Sequence, residues 1–187
     1  MTLMLMSGAA SEPVTLDEAR AHLRLDTENE DMLLGAFLTA ARVTLEAQTR
    51  RAFVTQSWRL ILDAWPEPAV TLPLAPVSAI TSVTMNDEGA PRVVSPALYD
   101  IALEGDAPRL AAKGGWPAPS RRVGGIHIDF TAGYGEASAV PAPLRQAILL
   151  LAAHWFEHRE PVSLGDTAGE LPLSVSALIA PYRRVHL

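Results

Sequence analysis

Cysteine is absent from the 187 residues, which excludes a disulfide framework, thiolate catalysis, cysteine-ligated zinc and iron-sulfur clusters. Lysine is nearly absent: the 15 basic side chains are 14 arginines and Lys113. Charge is scarce overall, at 19% of residues with a net of −6, and this argues against the basic surface of an ordinary nucleic-acid-coating protein. Disorder is excluded by the opposite surplus, 49% apolar residues. Long apolar runs are also missing. The longest, 147–156, is broken by His154 and has half of the roughly twenty residues a membrane-spanning helix needs. No basic residue precedes Arg20, so the apolar start lacks the positive region of a secretory signal. The expectation is a soluble, cytoplasmic chain that avoids membranes, with residues 1–12 as a flexible arm. Its length fits one domain, or one domain with a sizeable insertion.

Thr15-Leu16-Asp17-Glu18 is a capping box, in which Thr15 caps the third helical N–H and Glu18 reaches back. It predicts a short helix to about Leu25. Thr27-Glu28-Asn29-Glu30 repeats the pattern and predicts a long helix to about Arg51, with Leu33, Phe37, Ala40, Ala41 and Thr44 on one face. After Arg51 the apolar period drops from 3.6 to 2 and Pro and Gly punctuate the chain. Strands are predicted around residues 57–63, 69–72, 79–85, 99–103, 109–112 and 126–130, with a turn at Asn86-Asp87-Glu88-Gly89 and an extended loop over 113–125. Helical period returns after Pro141 and Pro143, with Leu144, Ile148, Leu151 and Trp155 aligned, and Pro161 ends that helix. A Gly-containing linker, 165–169, leads to a last short helix over 175–180. The fold class is therefore α+β: two N-terminal helices (13–51) and two C-terminal helices (141–187) form a helical domain, and a β-rich insertion (52–140) lies between helices 2 and 3.

Few residues offer chemistry. His154-Trp155-Phe156-Glu157-His158 matches the H-x-x-E-H pattern of inverted zinc peptidases. A third ligand would have to come from another element, and 29 residues follow His158. The plainer reading is a helix end in which His154 packs while His158 and Arg159 face the negative end of the helix dipole. Neither Gly124-Gly125 nor Gly133-Tyr134-Gly135 has phosphate-loop spacing, so both read as turns. No catalytic residue, cofactor or metal is assigned.

The order of weak features along the chain resembles one family. Pro13, Thr15-Leu16, Glu18-Ala19, His22-Leu23-Arg24, Asp31, Ala40-Ala41, Glu46 and the 49–51 helix end come first. Gln56, Trp58, Pro73, Pro76-Val77, Tyr99 and Trp116-Pro117 follow. Phe130-Thr131-Ala132-Gly133-Tyr134-Gly135, Pro141, Leu144-Arg145, Ala147-Ile148, Arg159-Glu160, Leu171-Pro172, Val175, Ala177-Leu178 and Pro181-Tyr182-Arg183 complete it. The pattern is similar to the head-to-tail connector, or adaptor, proteins of long-tailed phages, and most like those of alphaproteobacterial gene transfer agents. The neighbouring head-completion and tail-terminator proteins are the alternative, and a small zinc hydrolase using His154, Glu157 and His158 is a remoter one.

The resemblance implies a structural protein of the phage-like particle without catalysis. It implies a ring, generally of twelve subunits, with the portal protein above, a head-completion (stopper) or tail protein below, and DNA passing through without sequence-specific binding. Tyr182, Arg183 and Arg184 follow a Pro-stopped helix, and arginine with tyrosine is the composition of interface anchors. They are expected, with Arg159, to meet the portal. The remainder is acidic, with 5 basic and 8 acidic groups in residues 1–51 and 6 and 8 in 52–135, and such a lumen would repel phosphate.

Overall fold

The computed structural model describes residues 1–86, 91–158 and 171–184. Among the described residues the chain is α+β, with four helices and two antiparallel sheets. It divides into two compact units, one of Met1–Ala10 with Val54–Tyr134, the other of Ser11–Phe53 with Gly135–Leu187.

The first unit holds all the strands among the described residues. A five-stranded sheet runs in the order β1 (Thr2–Ser7), β2 (Gln56–Leu62), β8 (Ile126–Ala132), β4 (Val77–Asn86), β5 (Pro91–Val93). A three-stranded sheet runs β3 (Val70–Thr71), β7 (Arg109–Ala112), β6 (Tyr99–Ala102). Strand β8 is the spine of the larger sheet, and its strict alternation explains why: Ile126, Ile128, Phe130 and Ala132 are buried while His127, Asp129 and Thr131 are half-exposed. Trp58 pairs with Phe130 and Leu60 with Ile128, so the apolar faces of β2 and β8 coincide. On the opposite face Arg59 stands across from Asp129.

The expected arm is the main correction. Residues 2–7 are strand β1, paired antiparallel to β2 from Thr2 opposite Ile61 to Ser7 opposite Ser57. A run of consecutive apolar residues without alternation carries no strand signal of its own, and the partner strand supplies the conformation. The short β5 also went unpredicted, because Pro91 opens it.

At Gly133 the backbone adopts φ +130°, and a Cβ there would lie 2.5 Å from the carbonyl oxygen of Val54. Its N–H donates to the carbonyl of Pro76 at 2.9 Å. Only glycine fits at this turn after β8.

The second unit is built from α1 (Leu16–Leu23), α2 (Asp31–Thr49), α3 (Ala142–Glu157) and α4 (Leu173–Ile179). The Thr15 capping box forms as expected. The Thr27 box does not: residues 28–31 make a turn in which the Asp31 N–H donates to the Glu28 carbonyl at 3.1 Å, and α2 starts at Asp31 without a side-chain cap. The buried face of α2 is Leu34, Leu38, Ala41, Leu45 and Thr49, one residue out of phase with the expected set, and Leu33 and Ala40 are exposed. This face packs on α3, whose Leu144, Ala147, Ile148 and Leu151 are buried, and α3 packs on α4 through Val175 and Ile179. Phe37 closes one end, its ring 6.4 Å from Trp155 and 6.5 Å from Phe156.

Candidate docking surfaces

The C-terminal segment is held by a buried arginine. Helix α4 runs into a 3-10 turn at Ala180–Tyr182, and the Nε of Arg51 donates to the carbonyl of Tyr182 at 2.8 Å. The Arg51 guanidinium also lies 5.9 Å from the centre of the Tyr182 ring. Tyr182 is therefore half-buried and fastened within its own unit, where a freely reaching anchor was expected. Arg183 projects into solvent and Arg184 is half-buried. Arg159 lies outside the described residues.

Arg51 sits at the left-handed end of α2, after Arg50 at φ 53°. The same end carries a second network. Arg42, almost fully buried, donates from Nε to Glu12 at 2.7 Å and from Nη1 to Glu46 at 2.8 Å. Burial works against the charge of Arg42, and the two carboxylates more than offset it, so its pKa is raised. Glu46 accepts in addition from the backbone N–H of Phe53 at 2.7 Å. Of these residues only the Arg42–Glu46 spacing of four was readable as a pair in the sequence. Glu12 is 30 residues from Arg42 and Tyr182 is 131 from Arg51, so neither partner had a local signal.

On the outward face of the large sheet, Arg59 clasps Asp129 through Nε at 2.6 Å and Nη2 at 2.8 Å, and the Ser82 hydroxyl donates to the same carboxylate at 3.0 Å. These bonds hold the Asp129 carboxyl below its ordinary pKa, with Arg59 the main cause. Next to it, burial and then the positive charge of Arg59 push the His127 imidazole down. Both groups are committed to sheet structure.

His154 and His158 lie at the solvent-facing end of α3 with ring centres 4.6 Å apart. His154 is exposed, where packing was expected. The Nδ1 of His158 is 2.9 Å from the His154 carbonyl. Among the described residues, no group of three His, Asp or Glu side chains is placed to hold a metal ion. None of the described helices is long and apolar enough to cross a membrane.

The arrangement thus offers surfaces and clamps, and comparison with known proteins gives them a context. The sequence profile of the phage gp6-like head-tail connector protein family matches residues 13–88. A chain in a solved structure described as the neck of an empty gene transfer agent (GTA) particle, computed with C6 symmetry, matches over 100% of this chain and 97% of its own, at 34% identity and a TM-score of 0.84. The chain belongs to this head-tail connector family. Two further matches of the same extent are to the virion of a native GTA particle, at 34% identity and TM-score 0.84, and to the neck of a native GTA particle computed with C12 symmetry, at 33% and 0.83. No curated protein matches. Within the connector, the profile spans α1, α2 and strands β2 to β4, which include the Arg42 network apart from Glu12.

Proposed function

We propose that this connector is a structural, non-enzymatic ring protein of a GTA-like particle, seated beneath the portal and joining the capsid vertex to the tail, with DNA passing through its lumen. The observation that carries the reading is the match over essentially both full chains to a neck component at 34% identity. The C6 and C12 symmetries of those neck reconstructions are both compatible with a ring of twelve subunits, and they support a dodecamer as the reading here. In this reading the helical unit is the docking body and the strands between α2 and α3 form an insertion.

Contact with the portal is assigned to the C-terminal end, to Arg183 and Arg184, positioned by the Arg51 clamp on Tyr182, and to Arg159. A stopper or tail protein binds below. The acidic balance of 15 basic against 21 acidic side chains suits a conduit that DNA does not adhere to.

The test is binding of the full chain to portal protein from the same particle. Arg183→Glu with Arg184→Glu is expected to abolish binding, and Arg183→Glu alone, at the exposed position, to weaken it while the melting temperature stays within about two degrees. Unchanged binding would discard the docking assignment. Tight, salt-sensitive binding of duplex DNA to the wild type would discard the repulsive lumen.

A further inference from the structure

The two ends of the large sheet differ in a way that a ring can use. At one end β5 has three residues and begins with Pro91, which has no N–H to offer; short length and proline are the usual means of blunting an edge. At the other end β1 has six residues and, among the described residues, pairs on one side only, with β2. No charged side chain guards it, since the first in the chain is Glu12. Three apolar side chains along it are open to solvent: Met4 is 41% exposed, Leu5 49% and Met6 48%. An unguarded edge of this kind is a template for another strand.

We propose that the outer edge of β1 is a subunit-to-subunit contact, adding head to tail to the outer edge of β6 in a neighbouring copy of this chain. The proposal rests on the ring reading above and names the surface that builds it. Rotation about a cyclic axis of more than two-fold order brings together two different patches of the subunit, so β1 cannot meet its own copy. The described strands offer one other terminal strand longer than three residues, β6, at the end of the small sheet. Its Ile101 is 45% exposed, and Leu98 just before it is 46% exposed. Backbone hydrogen bonds supply the pairing, and the Met4, Leu5 and Met6 side chains cover Leu98 and Ile101.

The cysteine-free chain makes the test clean. Particles are assembled in a host whose native gene is replaced by the Leu5→Cys, Ile101→Cys double variant, and treated with a short bismaleimide. A ladder of covalent oligomers on a denaturing gel is expected from the double variant, and monomer alone from either single variant. A neck that images as a ring but yields no ladder overturns the edge pairing and leaves the ring reading intact. Dimers from Leu5→Cys alone overturn the head-to-tail arrangement. Particles in which the chain forms no ring remove the ring reading itself, and this contact with it. As a second variant, Met6→Lys is expected to melt within about two degrees of wild type yet be lost from the neck; its normal incorporation would also overturn the proposal.

Discussion

Arg51 holds Tyr182 twice, by a 2.8 Å hydrogen bond from its Nε to the tyrosine carbonyl and by a guanidinium 5.9 Å from the ring centre. One side chain at the end of α2 thereby fixes the turn that follows α4, and with it the direction in which Arg183 projects. The two contacts can be separated by mutation, because the carbonyl belongs to the backbone. Tyr182→Ala removes only the ring and is expected to cost about 1 kcal/mol. Arg51→Ala removes both contacts and leaves a part-buried carbonyl without that donor, for about 2 kcal/mol. Urea unfolding of the two variants checks the order; equal losses would mean that the hydrogen bond contributes nothing.

Gly133 tests a different link, from local backbone to the closing of the large sheet. Both a strained φ and a clash at 2.5 Å with the Val54 carbonyl oppose any side chain there. Gly133→Ala is expected to destabilise by about 3 kcal/mol, since the neighbour is backbone and has little room to yield. Gly105 is the control: its φ is +78°, but nothing lies within 4 Å of an added Cβ, so Gly105→Ala carries only the left-handed penalty of about 1 kcal/mol. Thermal melts of the pair separate strain from collision.

How far the sequence led depended on where the information lay. The capping box at Thr15 and the alternation of β8 are local, involve residues within a few positions, and appear in the structure as read. Helix α2 was found but phased one residue off, because its apolar residues nearly encircle it; Leu33, Leu34, Phe37 and Leu38 allow two faces, and packing on α3 selects the second. Strand β1 was missed for the reverse reason, that its conformation comes from β2. The clamps joining Arg42 to Glu12 and Arg51 to Tyr182 were invisible, since a sequence does not say which distant carboxylate or carbonyl a buried arginine will find. The docking residues were chosen by composition; the structure adds that Tyr182 is occupied within its own unit.

The sheet's polar face gives the fold an acid sensitivity of known sign. Burial lowers the pKa of His127 from its ordinary 6.5, so below that value the unfolded chain binds a proton more readily than the folded one. Stability therefore begins to fall as pH drops through 6.5 and goes on falling to the depressed value. Asp129, held down chiefly by Arg59 from an ordinary 3.8, contributes stability above that pH and loses it as the pH falls through its lowered value. His127→Gln is expected to flatten the first decline and leave the second. Asp129→Asn removes the second and costs about 1–2 kcal/mol at neutral pH, because Arg59 loses its charged partner. Urea midpoints across the acid range read both; a His127→Gln profile identical to wild type would contradict the first assignment.

The last expectation concerns the free protein. Among the described residues its exposed large apolar residues fall mostly at separate places, such as Met32, Val43, Val93, Val123 and Leu173, with concentrations along β1 and at Leu98 and Ile101 beside the β6 edge. A contact made by a six-residue edge and a few side chains falls short of the roughly 1,000 Å² that a specific, stable interface needs. Such an edge pairs usefully only when something else holds the copies side by side, as a portal ring would. The isolated chain is therefore expected to sediment as a monomer at low micromolar concentration and to form rings when portal protein is added. A stable ring seen by light scattering without any partner would show that contacts beyond the β1 edge hold the subunits together.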